Sequence, residues 1–239
     1  MRHVAMRVGR RAMLAGAAAL AVPAAGLAVP AAGLAVPAAG HAAPGMAGVP
    51  ASGLLAFEAF RNGSRFGTHT VRFAVSGAAM VVTSAIDYVV TFGPIAVFRY
   101  TFRSTETWQG GVLQGFHSAI DDDGTRSVTS AVRDGDALAV DGAKSGKYRA
   151  PPGALPSSHW NAHEMDAPMI NSDTGKLLRF AVAPRGQDML SPATGPAFPA
   201  RHFALTGPAV LDLWYDAASV WAALRAVARD GSIITYRRR

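Results

Sequence analysis

Turn chemistry constrains this chain more than any other feature. Asp123-Gly124, Asp134-Gly135, Asp141-Gly142 and Asp230-Gly231 punctuate it, and Gly110-Gly111 and Gly93-Pro94 add two further corners. Aspartate and glycine tolerate the left-handed backbone that a two-residue hairpin loop demands. The segments between these corners alternate. In Thr68–Val75, Thr68, Thr70 and Arg72 fall on one side and Val71, Phe73 and Val75 on the other. In Ile95–Trp108, Phe98, Tyr100 and Phe102 oppose Arg99, Thr101 and Arg103. A two-residue period is that of a strand with one buried face.

The same reading predicts strands over Leu54–Phe60, Met80–Phe92, Val112–Ile120, Thr125–Arg133 and Lys176–Ala183. Arg201–Thr206, Val210–Tyr215, Val220–Ala228 and Ser232–Arg237 complete the set. Val220–Ala228 is Ala-rich, but its alternation and the hairpin signal after it favour strand over helix. The predicted fold is all-β, mainly antiparallel: a curved sheet, barrel or half-barrel of about 10–11 strands. Tyr148–Asp173 interrupts the pattern with Pro151-Pro152, Pro156 and Pro168 and reads as one long crossing loop. Ser157 or Ser158 is placed to cap a short helix over His159–Met165.

The N-terminus obeys different rules. Arg2, Arg7, Arg10 and Arg11 precede an apolar run, Ala12–Val22, that Pro23 ends. About 20 apolar residues are needed to span a bilayer, so this run suits a signal peptide rather than an anchor. The arginine pair and the weakly hydrophobic Ala/Gly core point to twin-arginine translocation, with the general export machinery as the other route. Leu20–Gly26 recurs identically at 27–33 and 34–40. Pro23, Pro30 and Pro37 forbid a helix over this seven-residue repeat. The organisation expected is a signal peptide over 1–42 cleaved after Ala42 (after Ala28 as the alternative), a flexible linker over 43–53 and a single β domain over 54–239. The exported protein would be periplasmic or secreted, with no integral membrane span in its mature form.

Composition then excludes several classes. The formal charge of +7 includes the four arginines of the signal segment, and Arg237-Arg238-Arg239 carry much of the rest. The body is close to neutral, with no basic stripe interleaved with aromatics, so nucleic acid is not an expected partner. The chain contains no cysteine. That removes disulfides, thiolate metal sites and a cysteine nucleophile.

Several motifs carry a resemblance. Gly67-Thr68-His69-Thr70-Val71-Arg72-Phe73, Glu106-Thr107-Trp108 and Leu155-Pro156-Ser157-Ser158-His159-Trp160-Asn161 are among them. Asp173-Thr174-Gly175-Lys176-Leu177 and Leu213-Trp214-Tyr215-Asp216 through Tyr236 extend it over nearly all of 54–236. Together they resemble an uncharacterised bacterial envelope family, the domain of unknown function 6134. The family implies no activity. The C-terminal motifs are also similar to periplasmic curved sheets, among them half-barrel lipoprotein carriers, which implies fold rather than function.

No segment carries a catalytic signature, and no cofactor is implied. His159, His163 and Glu164 are the metal candidates, since histidines four apart on a helix share a face. Their order is not that of a zinc protease, and a polar loop around a packed Trp160 is the competing reading. Ser157 or Ser158 lacks the elbow and oxyanion loop of a serine hydrolase. Asp121-Asp122-Asp123-Gly124 reads as a tight turn rather than a calcium loop. Glu106 shares a strand face with Trp108. It is either a buried acid with a raised pKa or, as the expected reading, the partner of Arg99 or Arg103.

The aromatics suggest the leading function. Trp108, Trp160, Trp214 and Tyr215, with Glu106 and Asn161, are the candidate ligand-binding residues of a partly closed sheet. The leading expectation is non-enzymatic binding or carriage of an apolar or lipid-like envelope ligand, marked by an apolar concavity beneath the 148–173 loop. A structural or protein-interaction module of the envelope is the alternative, marked by a filled core and an exposed apolar patch. A hydrolase-type enzyme is the third, marked by a cleft holding Glu106, His159, His163 or His202.

Overall fold

The computed structural model describes residues 47–239. The signal peptide, its repeats and both cleavage sites expected from the sequence lie outside the described residues. Eight strands follow one another first: β1 (Leu54–Arg61), β2 (Ser64–Ser76), β3 (Ala79–Phe92), β4 (Ile95–Gln109), β5 (Val112–Asp122), β6 (Thr125–Asp134), β7 (Ala137–Gly142) and β8 (Gly146–Arg149). Three two-residue strands come next: β9 (Leu155–Pro156), β10 (Met169–Ile170) and β11 (Leu177–Leu178). The last five are β12 (Ala181–Leu190), β13 (Phe198–Thr206), β14 (Val210–Tyr215), β15 (Trp221–Val227) and β16 (Ile233–Arg238).

Thirteen strands form one antiparallel sheet in the order β12-β13-β14-β15-β16-β1-β2-β3-β4-β5-β6-β7-β8. Two meanders are therefore joined where β16 returns to pair with β1, with Ala59 opposite Tyr236. The sheet curves but does not close, and β8 and β12 are its edges. Pro184, Arg185 and Asp188 on β12 discourage edge-to-edge pairing. This sheet exceeds the expected 10–11 strands by the short β7 and β8, which follow the Asp-Gly corners, and the two-residue β9, β10 and β11 form a second, three-stranded sheet. The predicted Lys176–Ala183 strand instead begins at Ala181 and runs to Leu190, through a register shift between Pro184 and Gln187.

The Asp123-Gly124 hairpin forms as anticipated, whereas Asp141-Gly142 ends β7 with Gly142 paired to Gly146 and Asp230-Gly231 lies in a five-residue loop between Val227 and Ile233. Asp123 and Gly124 take φ of 51° and 89°, and Asp121 Oδ1 accepts from the Gly124 N–H at 2.7 Å. Asn62-Gly63, which the sequence reading passed over, is a second such turn, with φ of 49° and 83°. Register shifts at Ala59/Phe60, Val90/Thr91, Thr107/Trp108 and Trp214/Tyr215 add bend to the normal twist. The result is a half-barrel with a concave and a convex face.

The core lies on the concave face, where Leu55, Phe57, Val71, Phe73, Met80, Val82, Phe102, Phe116, Leu213 and Trp221 are buried. What covers them is the strap formed by residues 150–178. Its β9 and β10 are parallel, and β11 pairs antiparallel with β10. Trp160, Met165, Met169 and Ile170 of the strap are buried within the same core. Residues 48–53, expected to end a flexible linker, also dock. Gly48 is buried at φ 93°, where a Cβ would meet the Trp160 carbonyl oxygen at 2.8 Å, and the Phe73 N–H donates to the Gly53 carbonyl at 2.9 Å.

Candidate functional site

Strand alternation aims Tyr100, Phe102, Ser104, Glu106 and Trp108 of β4 into the concavity, and all five are buried. Glu106 is 1% exposed. Its Oε2 accepts from the Trp108 indole at 3.0 Å and from the Trp160 indole of the strap at 3.1 Å. Burial pushes its carboxyl up to about 7, against the opposing hydrogen bonds from Ser158, Trp160 and Trp108, while the charge of Glu164 raises it further. The expected ion pair with Arg99 or Arg103 does not form. Odd-numbered residues of β4 face the convex side, and Arg103 pairs there with Asp87 at 2.6 Å.

A second knot ties the strap to the opposite wall. Glu164 Oε1 meets His159 Nδ1 at 2.7 Å and accepts from the Tyr215 hydroxyl at 3.3 Å. The same hydroxyl lies 2.9 Å from the His159 carbonyl. Burial pulls the His159 ring down, but the charge and hydrogen bond of Glu164 outweigh it, leaving its pKa above the usual value.

A third group occupies one end of the concavity. The Tyr100 hydroxyl donates to Asp173 Oδ2 at 3.3 Å, and the Tyr88 and Tyr236 hydroxyls bond each other. Burial pushes Asp173 up to about 6 and Tyr236 up to about 12. His69 is buried between Trp221 and Tyr236, with ring centroids at 5.3 and 5.6 Å. Neither of its ring nitrogens has a partner. Burial, aided by the charge of His159, drops its pKa to about 3, so the ring is neutral.

Of the candidate ligand-binding residues, Glu106, Trp108, Trp160 and Tyr215 converge beneath the strap. Trp214 does not. It lies on the convex face, stacked on His202 at 4.5 Å, and donates to Asp188 at 2.8 Å. His202 bridges Asp188 and Asp212 there at 3.1 and 3.0 Å. Asn161, rather than Ser157 or Ser158, caps a 3₁₀ turn over Ala162–Met165, accepting from the His163 N–H. The proposed metal face is therefore not built. His159 lies before the turn in a left-handed conformation (φ 64°), and His163 faces solvent. Among the described residues no group of three or more His, Cys, Asp or Glu is arranged to hold a metal. His69, Asp173, Tyr88 and Tyr236 were not among the candidate site residues, although His69, Asp173 and Tyr236 stand in the motifs that carry the resemblance. Parity offered a signal for His69, since it shares the apolar side of β2 with Val71 and Phe73.

The arrangement is packed with side chains rather than open. A recess of about 410 Å³ lies on the convex face, lined by Thr70, Arg72, Thr83, Arg103, Thr105 and His117. Another, of about 320 Å³, lies between residues 50–56 and Asp216, Val220 and Arg238. Neither includes Glu106, Trp160 or His69.

The fold and its internal strap define a β-barrel-like protein with a filled concavity. The chain belongs to the domain of unknown function family DUF6134, which matches residues 57–239. The structure is similar to the crystal structure of a beta-barrel-like protein of domain of unknown function DUF1849 from Brucella abortus. The two share a TM-score of 0.54 at 8% identity, over 78% of this chain and 94% of that one. That likeness is one of fold. No curated protein matches the chain. Among the described residues no helix is long and apolar enough to cross a membrane.

Proposed function

We propose that this protein is an exported, non-enzymatic interaction module of the cell envelope, working in the periplasm or outside the cell. Arg10-Arg11 and the apolar run after them support export, by the twin-arginine or the general route. The observation that carries the interaction reading is the place of Trp160. Its indole is fully buried on Glu106, in the middle of the concave face where a ligand of an open half-barrel would lie. A half-barrel that fills its own groove meets partners with its outer surface and its rims. Native mass spectrometry of the protein isolated from its own cells, with lipid extraction of the same sample, tests this. A bare polypeptide mass is expected. A stoichiometric amphiphile would overturn the reading.

Carriage of an apolar or lipid-like ligand is the second reading. His69, buried with both nitrogens unpartnered, favours it, because polar groups left unmet in a dry core are costly and often mark a site. This reading requires the strap to leave the concavity. Ligand-dependent loss of amide protection over 150–178 would support it, and unchanged protection under lipid challenge would sink it. A hydrolase-type reaction has the weakest support, since Glu106 and His159 line neither of the two recesses described.

A further inference from the structure

One hairpin stands outside the barrel. Pairing of β2 with β3 ends at Gly67 opposite Tyr88, and pairing of β5 with β4 ends at Tyr100 opposite Asp122. Beyond these pairs β3 and β4 run on over residues 89–98 as a two-stranded ribbon, closed by Thr91 opposite Ala96 and Phe92 opposite Ile95; its base stays half-buried, with Phe98 packed on the core, and only its tip is exposed. Four residues of strand beyond the last flanked pair reach about 13 Å. The segment reads Val-Val-Thr-Phe-Gly-Pro-Ile-Ala-Val-Phe, with no charged side chain. Phe92, Ile95 and Val97 are 80%, 63% and 53% exposed. A free two-stranded ribbon is marginal in water, and this one holds out large apolar groups.

The rim from which the ribbon projects is cationic. The turns at 61–64, 122–125, 142–146 and 227–233 lie at the same end of the sheet as the ribbon tip. Several of their charges are spent within the rim: Arg61 on Asp230, Arg126 on Asp121 and Lys147 on Asp141. Arg99 at the ribbon's base, Lys144, Lys176 and Arg229 make no ion pair among the described residues, and the acids left over in the adjoining turn are Asp122 and Asp123. Lys144 lies beside the 173–176 turn, where its backbone N–H donates to the Thr174 carbonyl at 2.9 Å, and it feels the positive charges of Arg229 and Lys176 against the negative ones of Asp122 and Asp173.

We propose that this rim docks the protein onto an anionic lipid bilayer, with the Phe92–Ile95 tip entering the interfacial layer and Arg99, Lys144, Lys176 and Arg229 meeting lipid phosphates. Both faces of the ribbon are apolar. That suits a surrounding fluid of acyl chains better than a groove, which would cover one face. The open backbone edges keep the tip at the headgroup–acyl boundary, where water still reaches them. The cations add attraction that salt screens. The proposal deepens the interaction reading by naming its partner.

Vesicle flotation tests it, using the protein isolated from its own cells and vesicles of phosphatidylcholine with or without about one third phosphatidylglycerol, a composition that sets the surface potential. The expected result is binding to the anionic vesicles that high salt weakens. The Phe92→Ser/Ile95→Ser variant should lose that binding at least about tenfold with an unchanged melting temperature, because both side chains already face water. A Phe92→Trp variant should shift its emission to the blue on these vesicles. The proposal is overturned if wild type and the double serine variant float equally, or if wild type does not float. Capture of a protein partner that depends on Phe92, without flotation, would overturn docking on lipid and leave the interaction reading standing.

Discussion

The indole N–H of Trp160 meets Glu106 Oε2 at 3.1 Å across a sequence separation of 54 residues. Trp108, two residues from Glu106, donates to the same oxygen at 3.0 Å. The strap is thus locked to the sheet by a carboxyl group that sees no water. The indole rings cross at 77° with centroids 5.3 Å apart, and Phe73 flanks Trp160 from the other side at 5.2 Å. This buried acid and tryptophan are one of the ties that hold the strap in the concavity, beside the Glu164–Tyr215 contact.

The acid sets a pH dependence. Its folded value of about 7 lies above the ordinary 4.5, so the native state holds the proton more tightly than the unfolded chain. The associated stability is complete below pH 4.5 and is lost as pH rises through 7. Glu106→Gln keeps the acceptor for both indoles and cannot ionise. The stability of wild type relative to this variant should fall by about 3 kcal/mol between pH 4.5 and 8. Urea unfolding at three pH values measures it, and a flat difference would contradict the assignment.

Trp160→Ala should cost about 3–5 kcal/mol, the usual range for emptying a large buried aromatic site. The loss leaves Oε2 of Glu106 with one donor fewer. Trp160→Phe should cost less, because it keeps most of the volume. Hydrogen exchange should show the loss of protection in the alanine variant concentrated in 150–178.

His69 acts in the opposite direction. Its folded value of about 3 lies below the ordinary 6.5, so its contribution is present above pH 6.5 and is lost as pH falls toward 3. Phenylalanine fits a site walled by Phe57, Trp221 and Tyr236 and leaves no polar atom unmet. His69→Phe should be neutral or stabilising at pH 7.5, with a gain that grows toward pH 4. Urea midpoints at pH 7.5 and 5 suffice, and an equal effect at both would refute the buried neutral ring.

Two glycines of the strap should respond differently to alanine. Gly175 has φ of 75°, and a Cβ there would collide with the Cα of Gly142 at the end of β7. Gly153 has φ of 74° with open space around it. Gly153→Ala should cost about 1 kcal/mol for the left-handed backbone alone. Gly175→Ala should cost at least about 3 kcal/mol, since two backbones must also part. Thermal melts of the pair separate conformational strain from collision.

Much of the fold was legible because its causes are local. The two-residue alternation of Thr68–Val75 and Ile95–Trp108 and the Asp123-Gly124 turn each depend on neighbouring residues alone. Parity even held the answer for Glu106: Arg99 and Arg103 differ from it by odd numbers, so a strand places them on the opposite face. Trp214 and Tyr215, adjacent in sequence, were grouped as ligands although a strand must separate them.

What the sequence by itself determined was an all-β chain with hairpins at defined corners and one proline-rich interruption. Only the tertiary structure decided that β16 closes on β1, that the sheet stops short of a barrel, and that the interruption fills the concavity. Those outcomes rest on contacts between distant residues, such as Trp160 with Glu106 and Gly175 with Gly142. They also rest on curvature accumulated over thirteen strands. No local pattern encodes a sum of that kind.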